Sequence, residues 1–297
     1  MFLKRSKSKT KFLGIWYMLL CMFFFSLNDV IIKYILKFHS NIDFLGQVIF
    51  LRGVISTLII GLYLYLKKQL SSEILFSKKL HLRGSLESLA AIFFFFALVF
   101  LPLGELYSLL NLAPVLITAS GALFLREKVG LFRWFAVFLG FLGVLIVVNP
   151  QDLKFGYAFI LPLISAIFIA LRDTVTKKKL KSFNGLQIVF ITSLSVTIWF
   201  GFGMIYKIQA VHFETMVLIF LSAIFVSIGY FFSVATIQVS EISVTSPFRY
   251  TIIIWGLIFG YATFNEIPSS NMIIGSIIIV FSGLFILHRE KLKGLIK

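Results

Sequence analysis

The residues of this sequence that are suited to chemistry are charged side chains inside long apolar runs. Asp29, Arg52, Asp173 and Arg249 each stand among hydrophobic residues. An ionised side chain at the centre of a bilayer costs roughly 2.5–3.5 kcal/mol on insertion scales, so each of them requires a partner or a function. We predict that Asp29 can pair with Arg52 and Asp173 with Arg249, and that both couples contact a polar ligand. Pairs that only fix the register of neighbouring helices are the alternative.

Two prolines add a second signal. Pro114 and Pro247 lie inside apolar runs, where each lacks a backbone donor and frees a carbonyl group of the preceding turn. Such breaks are tolerated in membrane helices where the freed groups line a cavity or meet neighbouring helices. Asn111 precedes Pro114, and Arg249 and Tyr250 follow Pro247. We predict that both helices line a central binding site, with an ordinary kink as the alternative.

The remaining reactive side chains do not form a catalytic or metal-binding pattern. The chain has one cysteine, Cys21, and four histidines that are never at metal-ligand spacing. It contains no G-x-x-x-x-G-K-[ST] phosphate-binding loop and no cluster of nucleophile, acid and base. The sequence therefore predicts no catalytic residue, no metal ligand and no cofactor. An intramembrane enzyme remains a remote alternative.

The elements that position these residues must be membrane-spanning helices. Of the 297 residues, 59% are hydrophobic and 13% are charged, against about a quarter charged in soluble domains. A span needs about 20 mostly apolar residues, and the apolar runs do not alternate with polar residues as barrel strands do. The sequence predicts an all-α integral membrane protein with ten transmembrane helices, at residues 13–36, 44–66, 84–101, 105–125, 131–149, 156–176, 185–206, 215–236, 243–264 and 270–288.

The distribution of basic residues predicts the orientation of the chain. A cytoplasmic N-terminus puts 21 of the 28 Lys and Arg in the termini and cytoplasmic loops, three in the opposite loops and four within helices. This asymmetry is typical of membrane proteins. It places both termini in the cytoplasm and accounts for the net charge of +16 without a nucleic-acid partner. Lys33, Arg172 and Lys177, near helix ends, are predicted to extend to the membrane surface.

The two halves of the sequence resemble each other at offsets of 136 to 144 residues. The matching positions are Asp29 and Asp173, Gln47 and Gln187, Glu105 and Glu241, Glu127 and Glu266, and Gly143 and Gly283. We predict two five-helix repeats, residues 1–150 and 151–297. Because five is odd, the second repeat enters the bilayer from the other side, as in secondary transporters that work by alternating access. A duplication retained for packing alone is the alternative.

Taken together, these features resemble the drug/metabolite transporter superfamily, EamA-type branch. The resemblance rests on two inverted five-helix halves, on the glutamates that end the fourth helix of each half (LRE at 125–127 and FNE at 264–266), and on a glycine in each last helix. It implies a carrier of amino acids, nucleobases, cofactors or drugs in the bacterial inner membrane, and it implies that the protein is not an enzyme. We interpret Glu127 and Glu266 as residues that order loops.

Four shorter motifs are similar to those of S-adenosylmethionine uptake carriers from obligate intracellular bacteria. They are NDVIIKY at 28–34, LRG at 51–53, PFRY at 247–250 and NEIP at 265–268. This resemblance implies a substrate with a sulfonium, an amine, a carboxylate and an adenine ring. Candidate contacts are Asp29 or Asp173 for the cations, Arg52 or Arg249 for the carboxylate and Tyr107 or Tyr250 for the ring, with Asn28 and Asn111 in the same site.

The sequence therefore favours a secondary transporter that moves a small polar metabolite across the bacterial inner membrane. Export of amino acids, nucleobases or cationic drugs on the same fold is the alternative, since direction depends on gradients. A channel fits buried charges of both signs less well. The expected partners are a small-molecule substrate and the lipid bilayer. GLIFG at 256–260 permits close helix packing within a monomer or in a homodimer.

Overall fold

The computed structural model describes residues 7–38, 42–127, 129–148, 156–203, 208–267 and 269–275, together with residues 277, 278, 281, 282 and 285. In this part of the chain every regular element is an α-helix or a short 3-10 helix. The α-helices are α1 (Lys7–Phe38), α2 (Ile42–Leu66), α3 (Ser72–Leu75), α4 (Lys78–Phe100), α5 (Leu103–Leu110), α6 (Ala113–Phe124), α7 (Leu131–Val148), α8 (Ile160–Lys179), α9 (Gly185–Gly203), α10 (Phe213–Val239), α11 (Ile242–Thr245) and α12 (Thr251–Phe264). The 3-10 segments Gly156–Phe159 and Ser246–Tyr250 precede α8 and α12.

Seven helical segments within the described ranges are long and apolar enough to cross a bilayer. They are Lys11–Phe38, Phe44–Leu66, Lys78–Phe100, Leu103–Phe124, Gly185–Phe202, Phe213–Val239 and Ile242–Phe264, and a shorter apolar helix covers Leu131–Gly143. The predicted all-helical membrane architecture is thereby confirmed. The count of ten spans and the orientation of the termini stay predictions. The tenth predicted span, 270–288, lies partly outside the described residues. The chain ends at 1–6 and 286–297 lie wholly outside them.

Two of the spanning segments are interrupted at the predicted prolines. The first break separates α5 from α6, with Pro114 in the first turn of α6. The second is the 3-10 segment between α11 and α12, which contains Pro247. Proline cannot donate the bond that would continue an α-helix, so the chain is rebuilt from tighter turns at both places. The two breaks are adjacent, because the hydroxyl oxygens of Thr118 and Ser246 lie 2.8 Å apart.

The long helices pack across the two halves of the sequence. α1 packs along α10, α2 along α9, and α4 along α8 and α9. Buried residues from α1, α2, α4, α5, α9, α10 and α12 form the main hydrophobic core. Large apolar side chains such as Leu58, Phe138 and Phe202 are exposed on the outside, where lipid surrounds them. Polar groups on the inner helices therefore meet between the two halves.

The helix junctions α4–α5 and α10–α11 lie at opposite ends of α1. Lys33, near the C-terminal end of α1, donates from Nζ to the carbonyl of Leu101 at 3.1 Å. Gly14, near the N-terminal end, packs so closely on Ser240 that an added Cβ would lie 2.6 Å from the serine Cβ. At 1.5 Å of rise per residue these two positions are about 28 Å apart. The α4–α5 and α10–α11 junctions thus lie at opposite ends of the bundle.

Candidate functional site

A cavity opens between the two halves, beside both helix breaks. It measures about 750 Å³ including its open mouth. It is lined by α1, α2, α4, α8, α10 and α12, by the α5–α6 junction and by the 3-10 segment at Ser246–Tyr250. The lining residues that carry polar side chains are Asn28, Asp29, Arg52, Glu87, Asn111, Ser165, Arg172, Tyr230 and Arg249. Such a concave space with a few convergent polar groups is typical of a small-molecule site.

On one side of the cavity, Asp29 is held by neutral hydrogen-bond donors. Asn28 Nδ2 donates to Asp29 Oδ1 at 2.8 Å, and the hydroxyl of Tyr107 donates to Asp29 Oδ2 at 2.8 Å. Arg52 Nη1 donates at 2.8 Å to Asn28 Oδ1, which also accepts from Ser222 Oγ at 2.7 Å. Asp29 and Arg52 are therefore linked through Asn28, and the predicted direct pair is replaced by this bridge.

Aromatic rings form an adjoining wall of the cavity. The guanidinium of Arg52 lies 5.0 Å from the centre of the Phe95 ring, within the range of a cation–π contact. Phe25, Phe94 and Tyr230 also line the space. An apolar wall next to buried charges favours a ligand that combines a flat ring with polar groups.

On the other side lies a group of buried ionic residues that we call the arginine cluster: Arg83, Glu87, Arg172, Asp173 and Arg249. Arg172 Nη1 lies 2.5 Å from Glu87 Oε2, and its Nε lies 2.9 Å from Asp173 Oδ1. Arg249 Nη2 bonds the other oxygen of Asp173. Arg83 Nη2 lies 3.7 Å from Glu87 Oε2. The structure thus brings the predicted partners Asp173 and Arg249 together, inside a larger cluster.

The predicted site residues fall into three groups. Those that line the cavity are Asn28, Asp29, Arg52, Asn111 and Arg249. Tyr107 and Asp173 lie behind the lining and contact it through Asp29 and Arg249. Tyr250 is directed away, because its buried hydroxyl donates to the carbonyl of Val137 at 3.1 Å and its ring packs on Gly140. Neither Tyr107 nor Tyr250 lines the cavity, so the predicted contact of either ring with a ligand is corrected.

Comparison with known proteins decides the family. The sequence model of the EamA-like transporter family matches residues 12–149 and again residues 155–288. The chain belongs to the EamA-like transporter family. It is 26% identical over 287 residues, 95% of each chain, to the S-adenosylmethionine uptake transporter of Rickettsia prowazekii. It is 24% identical over 201 residues, 66% of this chain and 71% of its relative, to the riboflavin transporter of Brucella anthropi.

A solved crystal structure shares the fold of this EamA-like transporter. It covers 96% of this chain and 99% of its own, with a TM-score of 0.67 at 12% sequence identity. The predicted family is confirmed, and with it the prediction that the protein is not an enzyme. The protein is a membrane transporter of a small molecule, with multiple helices in the bacterial inner membrane.

Sequence reasoning missed several polar residues of this transporter, among them Glu87, Tyr230 and Arg83. Glu87 and Tyr230 line the cavity, and Arg83 is 0% exposed within α4. The span predicted at residues 84–101 begins after Arg83 and leaves this residue in a cytoplasmic loop. The spacing of four between Arg83 and Glu87 is a signal for a pair on one helix face. That signal would have extended the span toward the N-terminus.

Three basic residues predicted to extend to the membrane surface are instead bonded inside the transporter. Arg172 is 3% exposed and bridges two carboxylates of the arginine cluster. Lys33 Nζ lies 2.9 Å from Glu266. Lys177 Nζ donates to the carbonyls of Ile237, at 2.7 Å, and of Ser240. Free carbonyls at the end of a helix attract cations, and the carbonyls that Lys33 and Lys177 bond lie at or near the C-terminal ends of neighbouring helices.

Proposed function

We propose that this protein is a secondary transporter that takes up S-adenosylmethionine across the bacterial inner membrane by alternating access. The observation that carries the proposal is the cavity between the halves, which holds buried charges of both signs beside two broken helices. Discontinuous helices around a central site are a recurrent feature of secondary transporters. Relatives at 26% identity over nearly the full length are named S-adenosylmethionine uptake transporters, which supports the substrate.

The architecture that belongs to this proposal is ten helices in two inverted repeats, residues 1–150 and 151–297, with both termini cytoplasmic. Two consecutive matches to one family model support it. So does the position of the equivalent junctions α4–α5 and α10–α11 at opposite ends of α1. Inverted halves that exchange conformations convert an opening on one side of the membrane into an opening on the other.

The proposed substrate contacts are the residues of the cavity. Asn28, Asp29, Arg52, Asn111 and Arg249 contact the ligand, while Tyr107 and Asp173 position Asp29 and Arg249 from behind. Phe94, Phe95 and Tyr230 offer faces for the adenine ring. A buried carboxylate and a buried guanidinium on opposite sides of one space suit a metabolite that carries charges of both signs.

The test is uptake of labelled S-adenosylmethionine into proteoliposomes, either empty or preloaded with unlabelled compound. We expect saturable uptake that falls at least tenfold in Asp29→Asn and Arg249→Ala, since each change removes a charge that the proposal places in contact with the substrate. Glu73→Gln is the matched control, because Glu73 is an exposed acid on α3. Uptake that needs preloading identifies an exchanger, and uptake without preloading identifies a uniporter or an ion-coupled carrier.

Three results would refute the proposal at different levels. Absence of S-adenosylmethionine uptake by folded protein would remove the substrate, and riboflavin would be tested next because relatives of that name match two thirds of the chain. Wild-type uptake by both cavity variants would remove the site. Transport that runs only outward along imposed gradients would support an exporter on the same fold.

A further inference from the structure

The arginine cluster carries more positive than negative charge. It contains three guanidinium groups, of Arg83, Arg172 and Arg249, and two carboxylates, of Glu87 and Asp173. All five residues are less than a tenth exposed. A buried charge without a counter-charge is costly, so the cluster is suited to receive one further anionic group. By comparison, Asp29 and Arg52 on the other side of the cavity carry one negative and one positive charge, which cancel.

Hydrogen-bond donors of the cavity that have no partner also indicate that the ligand carries an anionic group. Among the described residues that line it, three buried nitrogen atoms have no hydrogen-bond partner: Arg52 Nε, Asn111 Nδ2 and Arg249 Nε. All three are donors. Both oxygens of Asp29 and both oxygens of Asp173 already accept hydrogen bonds from the protein. A ligand that completes this site must therefore supply acceptors.

Arg249 is the arginine best placed to exchange partners. It shares Asp173 with Arg172, whose Nε stays 2.9 Å from the other oxygen of that carboxylate. Asp173 would thus keep a counter-charge if Arg249 turned toward a ligand. Arg172 lacks this freedom because it joins Glu87 and Asp173 at once. Arg83 donates to the hydroxyl of Thr192 and is absent from the cavity wall.

We propose that the transported metabolite carries a carboxylate, which binds to Arg249 with Asn111 as a further donor, and that Arg249 selects substrates by this group. The inference rests on the proposed function, since it assigns a chemical class to the substrate of the same cavity. A guanidinium can bond a carboxylate through two parallel N–H groups. The remainder of the ligand then extends along the aromatic wall toward Asp29.

The experiment compares ligands that differ in the carboxylate alone. S-adenosylmethionine and its decarboxylated analogue compete with labelled S-adenosylmethionine for the purified full-length protein in lipid nanodiscs. We expect the decarboxylated analogue to bind at least tenfold more weakly to the wild type, as expected for loss of a charge-assisted pair. In Arg249→Gln the two ligands should bind alike, and Arg249→Lys should restore part of the preference. Arg133→Gln, an arginine outside the cavity, is the matched control.

The outcomes separate this inference from the proposed function. Equal binding of the two ligands to the wild type, with uptake intact, overturns carboxylate selection and leaves the transport proposal standing. A preference that persists unchanged in folded Arg249→Gln overturns the role of Arg249. If S-adenosylmethionine does not bind, thermal stabilisation is measured with amino acids and with the amines formed by their decarboxylation. Stabilisation by the acids alone supports the inference, and stabilisation by the amines, or by none of these compounds, overturns it.

Discussion

At the scale of single residues, the contacts of Tyr107 and Tyr250 differ in a way that can be measured. Both side chains are 0% exposed. The hydroxyl of Tyr107 donates to the carboxylate of Asp29 at 2.8 Å, whereas that of Tyr250 donates to the backbone carbonyl of Val137 at 3.1 Å. Hydrogen bonds to charged groups contribute more to stability than bonds between neutral groups. Equal changes at the two tyrosines should therefore have unequal effects.

We predict that Tyr107→Phe lowers the stability by about 1.5–3 kcal/mol and Tyr250→Phe by only about 0.5–1.5 kcal/mol. The measurement is the thermal unfolding of each variant in the same detergent. Uptake should fall in Tyr107→Phe because Asp29 loses a positioning contact, and it should be nearly unchanged in Tyr250→Phe. Equal losses of stability and uptake in the two variants would contradict the assignment.

At the scale of helices, close packing of α12 on α5 holds Tyr107 in place. A Cβ added at Gly256 would lie 2.5 Å from Cδ2 of Tyr107 and 3.6 Å from the carbonyl oxygen of Leu103. Gly260 likewise faces Glu266 of the same chain. Both glycines of the GLIFG segment thus serve contacts within the monomer.

We predict that Gly256→Ala costs about 1–3 kcal/mol, the usual effect of overpacking, and lowers uptake by displacing Tyr107 from Asp29. Gly46→Ala is the control, since a Cβ there meets nothing within 4 Å, and alanine is the better helix former by about 0.5–1 kcal/mol. Unfolding temperatures and uptake of the two variants test this. An unchanged unfolding temperature and unchanged uptake in Gly256→Ala would show that α5 and α12 are not tightly packed.

The C-terminal ends of α6 and α12 have the same backbone conformation and the same backbone hydrogen bond. Arg126 and Asn265 both have φ of 54°, and the next residues, Glu127 and Glu266, donate their amides to Gly121 and Gly260 at 3.0 and 3.1 Å. Beyond this point the two ends differ. Glu127 accepts from the amides of Ile242 and Ser243 at the start of α11, each at 3.1 Å. Glu266 instead faces a cavity that Pro102 and Gly104, at the start of α5, also line.

We predict that Glu127→Gln speeds hydrogen exchange at the amides of Ile242 and Ser243, because a neutral acceptor bonds them more weakly than a carboxylate. Glu266→Gln is the matched control and should leave exchange at these amides unchanged. Peptide-level exchange measured by mass spectrometry in detergent provides the readout. Unchanged exchange at α11 in the Glu127 variant would show that its carboxylate does not close this helix end.

At the scale of the whole molecule, this difference between the ends bears on alternating access. At the α6–α11 end, the Glu127 carboxylate bonds the first amides of α11 directly, whereas at the other end Glu266 and the start of α5 line one cavity and Lys33 links Glu266 to the carbonyl of Leu101. These two ends adjoin the junctions that lie about 28 Å apart along α1. If the halves exchange conformations, a change at one end requires the opposite change at the other.

We predict reciprocal exchange at the two ends during transport. Conditions that raise hydrogen exchange at Ile242 and Ser243 should lower it at Leu103 and Gly104, and saturating substrate should change both together. The comparison is made in nanodiscs with and without S-adenosylmethionine. Exchange that rises or falls at both ends in parallel would contradict alternating access and would favour uniform loosening or tightening of the bundle.

Features that depend on local composition and periodicity can be predicted from the amino-acid sequence. Long apolar runs dictate helices because the bilayer leaves no other partner for backbone groups, and Pro114 and Pro247 dictate the breaks because they lack a donor. Ordered matches between the two halves were sufficient to identify the family. The presence of Asp29, Arg52, Asp173 and Arg249 within apolar runs was sufficient to indicate a polar site.

Which of these groups meet depends on how the helices pack against one another. Arg172 and Glu87 are 85 residues apart in the sequence and pair because α4 packs along α8. Lys33 pairs with Glu266 across 233 residues, where sequence reasoning placed it at the membrane surface. Local sequence patterns indicate how apolar a helix is. They do not indicate which neighbouring helix covers each of its faces. Partner choice among buried charges therefore follows from helix packing, and so does the surplus positive charge that assigns a carboxylate to the substrate.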